Sequence, residues 1–190
     1  MTDIIILAAG SSSRLGKPKQ NLIYDGQTLL QKAIETAISS VCRQVIVVLG
    51  ANVDVIRPTI ESKPVNIIYN ADWEEGMASS IRLGITELQK IPEIDSVLLM
   101  LCDQPFVETA LLDQIIQTKS KNGIVACAYN DTCGPPVLFD QKYFDELLLL
   151  KGQEGAKKLL LKYPDDIATI LFPPGSIDID TMEDFEKIQP

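Results

Sequence analysis

Residues 4–9, Ile-Ile-Ile-Leu-Ala-Ala, are apolar at every position, and the run stops at Gly10. A half-exposed strand or an amphipathic helix would show a polar face. A run without one fits a strand buried on both sides, as in a parallel sheet covered by helices. Beyond Gly10 the chain becomes small and hydroxyl-rich (Ser11, Ser12, Ser13) and then delivers Arg14, Lys17 and Lys19. Small residues at the carboxyl end of a buried strand can turn backbone N–H groups toward phosphate oxygens, with cations close behind. Ligands of open α/β sheets bind at that edge. The stretch therefore predicts the floor of a site for a phosphate-bearing ligand.

The rest of the chain repeats the strand signal at intervals. Thr28-Leu29-Leu30-Gln31 has the form of a capping box, and Leu29, Leu30, Ala33, Ile34, Ala37 and Ile38 follow at the helical period. Strands are expected at 45–49 and 97–101, both buried, and at 65–69, 124–128 and near 168–172. Helices are expected near 54–60, from Ser79 onward, at 110–118, at 143–150 and 156–162 about a Gly152–Gly155 hinge, and from Thr181. Residues 131–136, with Gly134, Pro135 and Pro136, read as a loop before a short strand at 137–139, on an edge or at a break in pairing. Strands alternating with helices give right-handed βαβ units. The expectation is one domain over 1–190: a three-layer, Rossmann-like α/β/α fold with a mostly parallel sheet and an antiparallel excursion after residue 130.

Composition removes several classes of function. A formal net charge of −9 argues against a general nucleic-acid binder, which needs a basic face. The chain has no histidine, which excludes a His base, a Ser-His or Cys-His nucleophile and a His-bound zinc. Its four cysteines have no Cys-x-x-Cys spacing and read as reduced thiols. No stretch approaches the ~20 apolar residues of a membrane span, and no secretory leader is evident. A cytoplasmic location without membrane association is expected.

Two common nucleotide loops fail on spacing. Gly10 and Gly16 are separated by five residues rather than the four of a P-loop, and Pro18 stands where its magnesium-binding hydroxyl should be. The dinucleotide fingerprint is absent because Ser12 occupies its middle glycine position. What Leu7-Ala8-Ala9-Gly10-Ser11-Ser12-Ser13-Arg14-Leu15-Gly16-Lys17-Pro18-Lys19 does resemble is the opening motif of nucleotidyltransferases with a glycosyltransferase-A-like Rossmann fold. That resemblance implies a loop wrapped around a triphosphate, with Arg14 and Lys19 neutralising its charge. Lys17 fits a surface lysine equally well.

Asp103 directly follows a buried strand, and a carboxylate there needs a partner, for which a cation is suited. Cys102-Asp103-Gln104-Pro105 resembles the C-D-Q-P turn of the molybdenum cofactor cytidylyltransferase group. Residues 177–185, Ile-Asp-Ile-Asp-Thr-Met-Glu-Asp-Phe, resemble the segment that closes these domains, with Met182 in place of the usual proline. Strand alternation would put Asp178 and Asp180 on one side, so spacing does not choose between them; the resemblance favours Asp180 as the second Mg²⁺ ligand beside Asp103.

Residues 70–82, with Asn70, Trp73, Gly76, Met77, Ser80 and Arg82, are similar to N-x-x-W-x-x-G-M-x-x-S-x-R of the same group. The resemblance places Asn70, Gly76 and Ser80 with Leu7, Ala8 and Ala9 around the base. Leu-Ala-Ala-Gly, where guanylyltransferase relatives have Leu-Ala-Gly-Gly, favours CTP over GTP. Gly134 and Pro136, and Gly152 with Gly155, resemble segments on the acceptor side, although a helix hinge explains the last two as well. Across residues 4–185 the resemblance implies a Mg²⁺-dependent transfer of CMP from CTP to the phosphate of molybdopterin, with a molybdoenzyme receiving the product. Molybdopterin guanylyl transfer, transfer to a sugar or isoprenoid phosphate, and a non-catalytic cofactor-binding chaperone are the alternatives.

Overall fold

The computed structural model describes residues 1–118 and 123–189. Nine strands occur among them: β1 (Thr2–Ala8), β2 (Ile23–Tyr24), β3 (Gln27–Thr28), β4 (Val45–Leu49), β5 (Asn66–Tyr69), β6 (Ser96–Leu101), β7 (Ile124–Tyr129), β8 (Thr132–Asp140) and β9 (Ile167–Leu171). Seven form one sheet in the order β5-β4-β1-β6-β8-β7-β9, and β2 and β3 make a separate small hairpin. Within the large sheet β8 runs antiparallel to β6 and β7, and the other pairings are parallel.

The apolar run of β1 is central for the reason its composition gives. Ile4 and Ile6 enter one core cluster, Ile5 enters the other, and all three are fully buried. Burying each such side chain contributes about 1.5–3 kcal/mol. One cluster is covered by α1 (Leu29–Ile38), α2 (Val53–Ile56) and α4 (Thr109–Gln117). The other is covered by α3 (Met77–Leu88), α5 (Phe144–Leu148) and α6 (Ala156–Lys162). A third, small cluster joins Leu15, Leu22 and Leu29 to Ile179, just before α7 (Met182–Lys187). The result is the three-layer α/β/α fold with a mostly parallel sheet. No helix among the described residues is long and apolar enough to cross a membrane.

Local signals carried through at both ends. Thr28 accepts the Gln31 N–H and the Gln31 side chain accepts the Thr28 N–H, closing the capping box of α1. Thr181 and Asp184 make the same box for α7.

Three expectations are corrected. Helix α3 opens at Met77, not Ser79: Gly76 caps it, and the Ser79 hydroxyl turns back to donate to the Gly76 carbonyl (2.8 Å). The prolines at 135 and 136 do not precede a short strand but lie inside β8. They sit where the β7–β8 register jumps from Ala126↔Val137 to Cys127↔Gly134, so the missing N–H groups fall at a break in an interior strand. Residues 177–180 form no strand. Ile179 is fully buried and its N–H bonds the Asp103 carbonyl (3.2 Å), which lays the segment across the sheet's carboxyl edge.

Candidate functional site

A cleft of about 420 Å³ opens at the carboxyl ends of β1 and β6. That is within the usual range for a small-molecule site. Its floor is Leu7, Ala8, Ala9, Gly10 and Ser11; Trp73, Gly76, Met77 and Ser80 form one wall, with Gln153 beside them; Lys19 and Asp103 close the other side. The loop holds its shape through short-range bonds. The Leu15 N–H reaches the Ser12 carbonyl (2.9 Å), and the Lys19 N–H reaches Ser12 Oγ (3.0 Å). Leu15 is buried against Ile179 and its neighbours and anchors the far end of the loop. A Cβ added to Gly10 would meet nothing within 4 Å, so the space above the loop is open.

The cations and carboxylates form one network. Lys19 Nζ donates to Asp103 Oδ2 (2.5 Å), Asp180 Oδ1 (3.2 Å) and the Ile179 carbonyl (3.2 Å). Arg14, largely exposed at the rim, donates to the other oxygen of Asp180 (2.8 Å). Burial alone would lower the Lys19 pKa, but the charge and hydrogen bond of Asp103, with smaller contributions from Cys102 and Asp180, hold it above its ordinary value. Lys19 is therefore a permanent cation. Lys17 is exposed and is not part of the cleft lining.

Of the two closing aspartates, Asp180 meets both cations. Asp178 is exposed as a residue, yet its carboxyl is pushed up to about 6 by surrounding protein and by the charges of Asp103 and Asp180. Cys102 lines the cleft as an inert thiol, raised to about 12 by its burial and by Asp103. All four cysteines are free.

Asp103 Oδ1 is buried without a hydrogen-bond partner among the described residues. An orphaned carboxylate oxygen costs free energy unless something binds it. Together with Asp180 it offers hard anionic oxygens of the kind Mg²⁺ or Mn²⁺ takes. No group of three or more His, Cys, Asp or Glu residues is poised to hold a metal among the described residues. Two carboxylates suit an ion that takes its remaining ligands from phosphate and water.

The opposite wall is set by Asn70. Its buried amide donates to Ser79 Oγ (2.8 Å) and Ser80 Oγ (2.9 Å), so Asn70 positions the wall rather than lining it. Gly76, with φ of 122°, lies where a Cβ would stand 2.5 Å from the Gly152 carbonyl, which itself accepts the Ala78 N–H (3.1 Å). Gly155 packs on Met77. The Gly152–Gly155 turn thus buttresses the start of α3, with Gln153 reaching the cleft. Gly134 and Pro136 lie in β8, outside the cleft lining. Ser12 holds the loop from behind. Trp73 lines the wall, while its Cβ closely approaches Gly50. Gln20 and Gln153 were not singled out from sequence, and neither carries a charge or spacing signal that would have marked it.

A family model described as "MobA-like NTP transferase domain" matches residues 4–167. Nicotine blue oxidoreductase of Paenarthrobacter nicotinovorans is 33% identical over 135 residues, 70% of this chain and 65% of that protein, so the match spans just under two thirds of that relative. Molybdenum cofactor cytidylyltransferase of Escherichia coli (strain K12) is 24% identical over 184 residues, 96% of this chain and 93% of that one. The crystal structure of Rv0371c from Mycobacterium tuberculosis H37Rv superposes with a TM-score of 0.86 at 32% identity, covering 98% of this chain and 95% of that one. A manganese complex of Rv0371c superposes at 0.81 and 28% identity, covering 98% and 97%.

Proposed function

The chain belongs to the MobA-like NTP transferase family and is a nucleotidyltransferase, and from that premise we propose that its 190 residues act as one domain transferring CMP from CTP to the phosphate of molybdopterin. The observation that carries this reading is Lys19 held between Asp103 and Asp180, beside a loop of small residues. Nucleotidyl transfer needs positioning and charge stabilisation more than a covalent catalyst, which suits a chain without histidine.

In this reading the N–H groups of the loop hold the outer phosphates of CTP. Lys19 and Arg14 turn from their carboxylates to the triphosphate and neutralise the charge that builds on the departing pyrophosphate. An anionic oxygen of the acceptor phosphate attacks the α-phosphorus, and the bond from that phosphorus to the pyrophosphate oxygen breaks. The attacking oxygen is already deprotonated, so no general base is required. Asp103 and Asp180 would hold the Mg²⁺ ion, which supplies further charge neutralisation.

Base choice rests on Ala9 and Ser80. Ser80 Oγ accepts from Asn70, which leaves its O–H to donate toward an acceptor on the base edge. Cytosine offers two acceptors there, O2 and N3. Supporting the acceptor assignment are the similarity to the Escherichia coli molybdenum cofactor cytidylyltransferase and the motifs at 70–82 and 102–105.

Pyrophosphate release with Mg²⁺, molybdopterin and either CTP or GTP tests the proposal, with an authentic cytidylyltransferase as control. CTP-dependent release is expected. Preference for GTP would reassign the base. Release only with a sugar or isoprenoid phosphate would reassign the acceptor, and silence in every arm while the control turns over would overturn the proposal.

A further inference from the structure

The loop between β1 and Lys19 raises a problem of backbone chemistry. Each peptide unit carries a carbonyl opposite its N–H, and once β1 ends at Ala8 the sheet no longer fixes which of the two faces the cleft. A carbonyl turned to the ligand would repel a phosphate oxygen as strongly as an N–H attracts it.

Three carbonyls at this point are held inward. The side-chain amide of Gln20 donates to the Ala8 carbonyl (2.8 Å) and to the Gly10 carbonyl (3.0 Å). The carbonyl between them, that of Ala9, accepts the Ala51 N–H (3.0 Å). Gln20 is wholly buried, and both of its N–H donors are used. Its oxygen faces the Ser12 hydroxyl at 3.5 Å. Gly10 and Ser11 line the cleft, and their N–H groups have no hydrogen-bond partner among the described residues.

We propose that Gln20 is a positioning residue for the triphosphate: with the Ala51 N–H it turns the carbonyls of Ala8, Ala9 and Gly10 away from the ligand at the loop floor. The identity of the ligand rests on the function proposed above. Gln20 does not touch phosphate itself, because its amide has no donor left to offer. The single 3₁₀ turn at Lys19–Asn21 does two jobs with adjacent side chains, sending Lys19 out to the carboxylates and Gln20 in beneath the loop. Few other side chains suit the position. Glutamate would set an anion against two carbonyls, methionine has the length but no donor, and asparagine is one methylene short.

Calorimetric titration with CTP and with inorganic tripolyphosphate, on the wild type and on Gln20→Met and Gln20→Glu, tests this. The expected result is affinity for both ligands at least about tenfold weaker in Gln20→Met, and weaker still in Gln20→Glu. Tripolyphosphate carries no base, so the same loss for both ligands locates the defect at the loop. A folded Gln20→Met protein that binds tripolyphosphate like the wild type overturns the proposal alone. A wild type that binds neither ligand overturns the nucleotide reading and this proposal with it.

Should the variants fail to fold, ¹⁵N spectra of the wild type decide. On adding tripolyphosphate the backbone amides of Gly10 to Ser13 should shift, while the Gln20 side-chain amide keeps its position. A Gln20 amide that moves as far as theirs is a ligand contact, and the positioning role is then wrong.

Discussion

Lys19 and Asp103 are 84 positions apart in the chain, yet Lys19 Nζ lies 2.5 Å from Asp103 Oδ2, with both side chains largely shielded from water. The ammonium satisfies one carboxylate oxygen and leaves the other, Oδ1, buried without a partner. Asp103→Asn keeps the shape and removes the charge. It should abolish binding of Mn²⁺ measured by electron paramagnetic resonance and lower turnover by about 10³-fold. Its stability cost should stay near 1–3 kcal/mol, because Lys19 keeps Asp180 as a second partner. Unchanged turnover would remove Asp103 from the proposed metal site.

Lys19→Met should separate binding from chemistry. On the proposed reading, the ammonium competes in the absence of nucleotide with a metal ion for the same two carboxylates. Removing it should tighten Mn²⁺ binding to the free protein, by about tenfold. The same change deprives the triphosphate of a buried cation and should lower kcat/KM by about 10²–10³-fold. Parallel loss of both properties would mean that Lys19 holds the carboxylates in place rather than competing for them.

How much of this was legible in the sequence depended on the range of the interaction. Strand β1 and the capping box at Thr28 were readable because composition and three-residue spacing decide them locally. The three-layer fold followed from alternating strands and helices. Only the extent of strand β8 was misjudged: Gly134, Pro135 and Pro136 read locally as a loop, whereas the break in pairing they signal is a register shift inside a longer strand. Asp180 and Lys19 are 161 positions apart, and no periodicity connects them; only the resemblance of each segment to a family motif suggested that they belong together. Gln20 was invisible for another reason. Its partners are backbone carbonyls, which every residue possesses, so no residue type reports the contact.

Acid should loosen the wall of the cleft through Glu75. Hydrogen bonds from Arg82 and from the Gly152 N–H hold its carboxyl below the ordinary value of 4.5. A carboxylate whose pKa is lowered on folding binds fewer protons folded than unfolded. It stabilises the protein above the unfolded pKa, and that contribution disappears as pH falls through the lowered folded value. Melting temperatures of wild type and Glu75→Gln should therefore differ at pH 7, with the variant lower, and converge as pH falls through the lowered folded value. The exposed position of the pair keeps the difference small. A gap that persists into acid would mean that the side chain matters for packing and not for charge.

Gly50 should tolerate no side chain, although it lies outside the cleft. A Cβ there would stand 2.6 Å from Trp73 Cβ and 2.8 Å from both Cβ and the carbonyl oxygen of Ala9. Two of those atoms belong to the loop floor and one to the wall, so Gly50→Ala must push floor and wall apart. It must also strain the bond from the Ala51 N–H to the Ala9 carbonyl. Overpacking of this kind costs about 1–3 kcal/mol, readable as a lower melting temperature. Stability alone is the weaker test, because any crowded glycine would give it. The stronger one is calorimetric: the variant should lose affinity for CTP while still folded, since the Ala9 carbonyl, once freed, can turn toward the phosphates. Wild-type affinity in a destabilised Gly50→Ala protein would show that the loop floor does not depend on its contact with Gly50.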